Sequence, residues 1–141
     1  MAFALAACAS VPKFDDVEDR DWVLAEVRIG QRIIHIDRSR QATDGFDEIF
    51  TLRFDEERVS GTGAPNRYFA PYTTADRQGM KIGLIAGTMM ASLFEPENFK
   101  EQEYYAWLQN VERWNLAKGK LELYATDEDG SKAVLVFAAA E

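Results

Sequence analysis

From Trp22 onward the apolar residues of this chain fall on every second position, in short runs cut off by turn-forming residues. Successive side chains of a strand point to opposite faces, so each run describes a half-buried strand. Trp22 and Leu24 open the series, Ile34 and Ile36 continue it, and Phe50, Leu52 and Phe54 alternate with the polar Thr51 and Arg53. Gly30-Gln31, Asp44-Gly45 and Asp55-Glu56-Glu57 separate the runs, and connections this short make consecutive strands antiparallel. Further strands are expected over 58–60, 67–73, 80–85, 88–92, 120–125 and 132–138. Asp127-Glu128-Asp129-Gly130 turns the last pair, with Gly130 supplying a positive φ; the residue order of a calcium-binding loop is not met there.

One stretch departs from period two. Tyr104, Trp107, Leu108 and Val111 are spaced i, i+3, i+4 and i+7, which sets them on one face of a helix that must pack on the sheet. Pro96 suits its first position, Glu97 suits the positive end of its dipole, and Phe94 can staple against Phe99. The helix is expected to end near Arg113, ahead of a turn at Lys118-Gly119. At helical spacing the aromatic stripe reads as core, not as a ligand platform. The expectation is a mainly β (α+β) fold of about eight strands with one helix from the C-terminal half. A chain of 141 residues makes a single such domain, placed over 21–141.

Charge and cysteine usage narrow the function classes. Sixteen Lys and Arg against 24 Asp and Glu give a net charge of −8, which opposes the counterion release behind nucleic-acid binding. Nucleic acid is therefore not an expected partner. Asp15, Asp16, Glu18, Asp19 and Asp21 form an acidic run that reads as a solvated linker over 9–20. The one cysteine, Cys8, excludes an intramolecular disulfide and a cysteine-based zinc site. Leu5-Ala6-Ala7-Cys8 resembles a bacterial lipobox, a resemblance that implies lipidation of Cys8. Residues 1–8 then read as the remnant of a lipoprotein signal, short of a basic region and a full apolar stretch, with Met1 an internal start. The implied location is the bacterial cell envelope, with the membrane reached through the lipid on Cys8. No run approaches the length of an apolar spanning helix.

Catalytic constellations are hard to assemble from these residues. The one histidine, His35, sits opposite Ile34 and Ile36 in an alternating strand, and no Ser or Cys motif accompanies it. One His and one Cys leave only scattered carboxylates for a metal, and no cofactor is expected. Gly61-Thr62-Gly63-Ala64-Pro65-Asn66 has the glycines of a phosphate-binding turn without its Lys-Ser/Thr ending, and Pro65 lacks an N–H. A tight turn, with Asn66 bonding local backbone, accounts for it better.

The same loop carries a family resemblance. Val-Ser-Gly-Thr-Gly-Ala-Pro-Asn-Arg-Tyr at 59–68, followed by Tyr72, resembles the META/HslJ signature Ser-Gly-x-x-Gly-Cys-Asn-x-Tyr. Thr88-Met89-Met90-Ala91-Ser92 resembles the family's Thr-x-Met-Ala-Cys. Trp22-Val23-Leu24, and a helix followed by strands ending in Leu135-Val136-Phe137, agree with it over roughly 20–138. Pro65 and Ser92 stand where many family members have Cys, so no thiol role carries over. The resemblance implies a compact antiparallel, barrel-like sheet with one helix and marks Gly61, Gly63, Asn66, Tyr68, Tyr72, Thr88 and Met90 as motif positions. It implies no reaction. The expected role is a non-enzymatic envelope module with a protein partner; the alternative is a barrel holding a small apolar ligand or lipid, which requires an interior not filled by Trp22, Phe50, Phe54, Leu84 and Leu123.

Overall fold

The computed structural model describes residues 11–38, 49–88 and 98–140. Ten strands are described: β1 Asp21–Ile29, β2 Arg32–His35, β3 Thr51–Phe54, β4 Arg58–Thr62, β5 Arg67–Ala75, β6 Gly79–Ile82, β7 Ala86–Gly87, β8 Val111–Ala117, β9 Lys120–Thr126 and β10 Lys132–Ala139. The helix α1 spans Glu101–Gln109. Eight strands close a barrel in the order β1-β3-β4-β5-β6-β8-β9-β10, with β10 returning to pair with β1. Every described pairing is antiparallel. Closure satisfies the edges that an open sheet would leave free.

The two remaining strands exist because β1 and β5 are long enough to serve two neighbours on one side. The first half of β1 pairs β3 at Asp21, Trp22 and Val23, and its second half pairs β2 from Glu26 to Ile29. A register shift between Leu24 and Glu26 separates the halves. An extra residue there moves the inward set from Trp22 and Leu24 to Val27, so all three are fully buried although simple alternation would not align them. Likewise β5 pairs β6 from Tyr72 to Ala75 and β7 at Tyr68 and Phe69.

Both ends of the barrel are stoppered by aromatic rings. Phe50 and Phe54 lie four residues apart along the same strand direction, about 13 Å. At the Phe50 end, Phe99 and Tyr104 of the helical segment pack on it with ring centroids 5.4 and 5.1 Å away. At the other end, Phe14 meets Phe54, Tyr72 and Trp114 at 5.4, 5.7 and 5.3 Å. Phe14–Asp16 is a short 3-10 turn, Val17 is fully buried, and the Trp22 indole donates to the Val17 carbonyl at 3.1 Å. The segment from Phe14 is thus part of the barrel and not the solvated linker expected over 9–20; its acidic residues face water while Phe14 and Val17 anchor it.

Three further expectations are corrected. The helix ends at Gln109, where the Asn110 side-chain amide donates to the Ala106 carbonyl at 2.7 Å, and Val111 starts β8 instead of ending the helical face. A strand entered directly from the helix puts Val111 inside as a helical i+7 position would, which is why the spacing misled. The strand expected over 80–85 ends at Ile82, and Leu84, expected inside, is 83% exposed at the irregular crossing from β6 to β7. Thr88 lies just past β7, outside any strand. The expected helix start at Pro96 and Glu97, the Phe94 staple, the Asp44-Gly45 turn, and residues 89–92 of the expected strand lie outside the described residues.

Tyr104, Trp107 and Leu108 form the buried face of α1, and Leu108 is fully buried. Leu108→Ala should lower stability by about 3 kcal/mol through lost transfer energy and the cavity left behind. Urea denaturation checks it, and a loss under about 0.5 kcal/mol would place this face at the surface.

Candidate functional site

Gly61, Gly63, Asn66, Tyr68 and Thr88 gather at the turn from β4 to β5, Tyr72 lies at the other end of the barrel beside Phe14 and Phe54, and the group that organises the turn comes from another part of the chain. Glu101 opens α1, where the free N–H groups of a first helical turn favour a carboxylate. Its Oε2 accepts the backbone N–H of Ala64 at 2.6 Å and that of Asn66 at 2.8 Å, one on each side of Pro65. Its Oε1 accepts the Asn66 side-chain amide at 2.7 Å. One carboxylate therefore satisfies the donors that flank a residue with no N–H of its own.

Asn66 is the buried polar side chain among the described residues, 4% exposed. Besides the Glu101 contact, its Oδ1 accepts the Thr88 hydroxyl at 2.9 Å, and the Thr88 oxygen accepts the Arg67 backbone N–H at 3.1 Å. Its backbone carbonyl accepts the Gly63 N–H at 2.6 Å and the Tyr105 hydroxyl at 3.2 Å. The Asn66 side chain, expected to bond local backbone, thus ties its loop to a carboxylate and a hydroxyl from other parts of the chain. Asn66→Ala should leave the Glu101 oxygen and the Thr88 hydroxyl short of a partner and lower stability by about 1–3 kcal/mol. A thermal melt reads this, and an unshifted midpoint would mean that the side chain serves an open site.

The glycines make this packing possible. A Cβ at Gly61 would stand 2.1 Å from the Thr51 carbonyl oxygen, and one at Gly63 would stand 2.6 Å from the Tyr105 hydroxyl and 2.7 Å from Glu101 Oε2. Beneath them the Tyr68 hydroxyl donates to the Thr51 carbonyl at 2.6 Å; the Tyr104 hydroxyl lies 2.8 Å from that of Tyr68 and 3.1 Å from the same carbonyl. Burial drives the pKa of both phenols far up, so they remain neutral hydrogen-bonding groups. Tyr72 donates to the Asp55 carbonyl, and burial followed by the nearby carboxylates of Glu18, Asp55 and Asp19 raises its pKa to about 12. None of the three is tuned toward the neutral range in which a general acid or base works.

Of the other marked residues, Cys8 and Met90 lie outside the described residues. His35 is exposed and 3.4 Å from Glu26, on the outer face where alternation put it. Arg38 escaped the sequence reading: its guanidinium donates to the carbonyls of Leu24, Ile49 and Phe50, at 2.7, 2.5 and 3.2 Å. Burial lowers its pKa, and its charge is held by backbone where β1 bulges and β3 begins. Among the described residues no three His, Cys, Asp or Glu side chains gather as metal ligands, and no helix is long and apolar enough to cross a membrane. Trp22, Phe50, Phe54 and Leu123 are each fully buried, as a filled interior that counts against a lipid carrier requires, while Leu84 is exposed and takes no part.

Residues 15–141 match a family model described as META domain. No curated protein matches the chain. Among solved structures, the chain is similar to a protein from Burkholderia xenovorans determined by NMR, with a TM-score of 0.64 and 18% identity over 99% of each chain. It is also similar to a DUF4847 family protein from Bacteroides vulgatus, with a TM-score of 0.59 and 13% identity over 89% of this chain and 95% of that one. At these identities the two structures support the barrel fold alone.

Proposed function

Because the chain belongs to the META domain family, we propose that it works as a non-enzymatic binding or assembly module of the bacterial cell envelope, tethered through a lipid on Cys8. One observation carries the non-enzymatic part. The polar residues of the motif are turned on one another: Asn66 on Glu101 and Thr88, Tyr68 on Thr51 and Tyr104. A catalytic set keeps at least one such group aimed at the position of a reacting atom, whereas here the hydrogen-bonding capacity maintains a loop. A rigid, closed barrel with water-facing acidic residues suits contact with another protein. Support for the tether is the Leu5-Ala6-Ala7-Cys8 string.

The experiment expresses the gene with its native leader, as wild type and as Cys8→Ser. Wild type should fractionate with membranes and carry a lipid mass on Cys8, and Cys8→Ser should be released to the soluble fraction. Unchanged fractionation, or an unmodified Cys8, would defeat the tether. Crosslinking of intact envelopes followed by mass spectrometry tests the partner, and a folded lipoprotein that reproducibly captures nothing would defeat the assembly role.

A further inference from the structure

The outer face of β4 and β5 departs from the acidic character of the rest of the chain. Residues 58, 60 and 62 of β4 stand opposite 71, 69 and 67 of β5, giving three rungs: Arg58 with Pro71, Ser60 with Phe69, and Thr62 with Arg67. Arg58 and Arg67 therefore occupy opposite ends of a ladder about 13 Å long with an aromatic ring between them. Beside this ladder β7 offers only Ala86 and Gly87, and the low wall leaves a groove of about 600 Å³ over Phe69. That volume falls within the roughly 300–1,000 Å³ of small-ligand sites.

Among the described residues the groove is lined by two arginines and the hydroxyl residues Ser60, Thr62 and Thr88 and by no carboxylate, in a chain holding 24 Asp and Glu. Its two arginines differ. Arg58 lies 5.6 Å over the Phe69 ring and 3.9 Å from Asp55, so its charge is already shared. Arg67 has no ion-pair partner among the described residues. The Thr88 hydroxyl is committed to Asn66, while no described partner engages the hydroxyls of Ser60 and Thr62. Phe69 is 48% exposed even with Arg58 over its ring, so it offers apolar surface on the floor of a concave site next to the Arg67 cation.

We infer that this groove binds a small organic anion with a flat apolar body, its charged group held by Arg67 and Thr62 and its body lying against the part of the Phe69 ring that Arg58 leaves open. Either half alone is a poor occupant. A bare inorganic anion would leave the open part of the Phe69 ring in water, and a neutral ring would leave Arg67 without a counter-charge. The inference does not rest on the envelope role, since it is drawn from the groove's own lining; Thr88 joins that groove to Asn66 and the Glu101 clamp.

Phenyl phosphate is the probe, followed by ¹H–¹⁵N correlation spectra of the full chain at low salt, with inorganic phosphate and phenol as the two halves. Saturable shifts confined to residues 58–62, 67–71 and 86–88 are expected, with tighter binding than either half. Arg67→Gln should weaken binding about fivefold, the factor of a solvent-exposed charge contact, and Arg67→Lys should restore part of it. Phe69→Ala should reduce phenyl phosphate to the affinity of inorganic phosphate. Both side chains are exposed, so the variants should melt with wild type, and the melts are recorded alongside. No saturable shift, shifts centred elsewhere, equal binding of inorganic phosphate, or indifference to Arg67→Gln would each overturn the inference.

Discussion

Gly61→Ala is expected to abolish the cooperative melt, or to shift it by the equivalent of at least about 4 kcal/mol, a loss seen only where a substitution forces core or backbone to move. The added methyl carbon would sit 2.1 Å from the Thr51 carbonyl oxygen and 2.7 Å from its carbon, and neither belongs to a flexible side chain that could step aside. The same carbonyl receives the Tyr68 and Tyr104 hydroxyls, so displacing it also uncouples β4 and β5 from α1. Positive φ is not the reason, because Gly61 lies in ordinary strand geometry; the requirement is for closeness. Gly119→Ala serves as the contrast, since its φ is +75° with open space around it, and it should cost only about 1 kcal/mol of backbone strain. If Gly61→Ala melted within about 1 kcal/mol of wild type, the close approach of β4 to Thr51 would be wrong.

Much of the barrel was legible because strand period and burial are two readings of the same geometry. Phe50, Leu52 and Phe54 are all buried as their alternation required, and β9 and β10 begin where the apolar runs begin. Reading failed where tertiary context changed the period. β8 was absorbed into the expected helix because Val111 satisfied both patterns, although Trp114 and Leu116 continue the strand. The bulge in β1 broke the series between Leu24 and Val27, and two-residue β7 is too short to have a period at all. Phe14 and Val17 were hidden inside a run of carboxylates whose average polarity says linker, while two apolar side chains suffice to dock it.

The site was half legible for a related reason. Glycine, proline and asparagine in sequence mark a turn by their own conformational chemistry, and Gly61, Gly63 and Asn66 could be singled out from the string itself. Their partner could not. Glu101 is 35 residues from Asn66, in a stretch with Glu95, Glu97 and Glu103 among its neighbours, and nothing local distinguishes it. One signal was available: a loop with Pro65 flanked by two amide donors needs an acceptor from elsewhere, and the start of α1 is where a carboxylate is best tolerated. Arg38 carried no such hint, since its partners are backbone carbonyls set by strand placement.

Glu101→Ala is expected to lower stability by about 4 kcal/mol, more than Asn66→Ala, because it removes the acceptor of three donors at once. Ala64 is fully buried and Asn66 nearly so, which limits how far water can replace the carboxylate. Glu101→Gln separates shape from chemistry. Both carboxylate oxygens accept, Oε2 from two backbone amides and Oε1 from the Asn66 amide, so either orientation of a glutamine aims its NH₂ at a donor. Gln should therefore destabilise by about 1–3 kcal/mol although it fills the same space. A double-mutant cycle gives the decisive measurement: with Glu101 gone, the Asn66 amide has already lost its acceptor, so adding Asn66→Ala should cost at least about 1 kcal/mol less than it does in wild type. Costs that simply added would mean that the two residues do not share one network. The turn between β4 and β5 would then hold its shape without the carboxylate, and α1 would be fixed to the barrel by its apolar face and by the Tyr105 and Gln109 hydrogen bonds with Asn66 and Ile85.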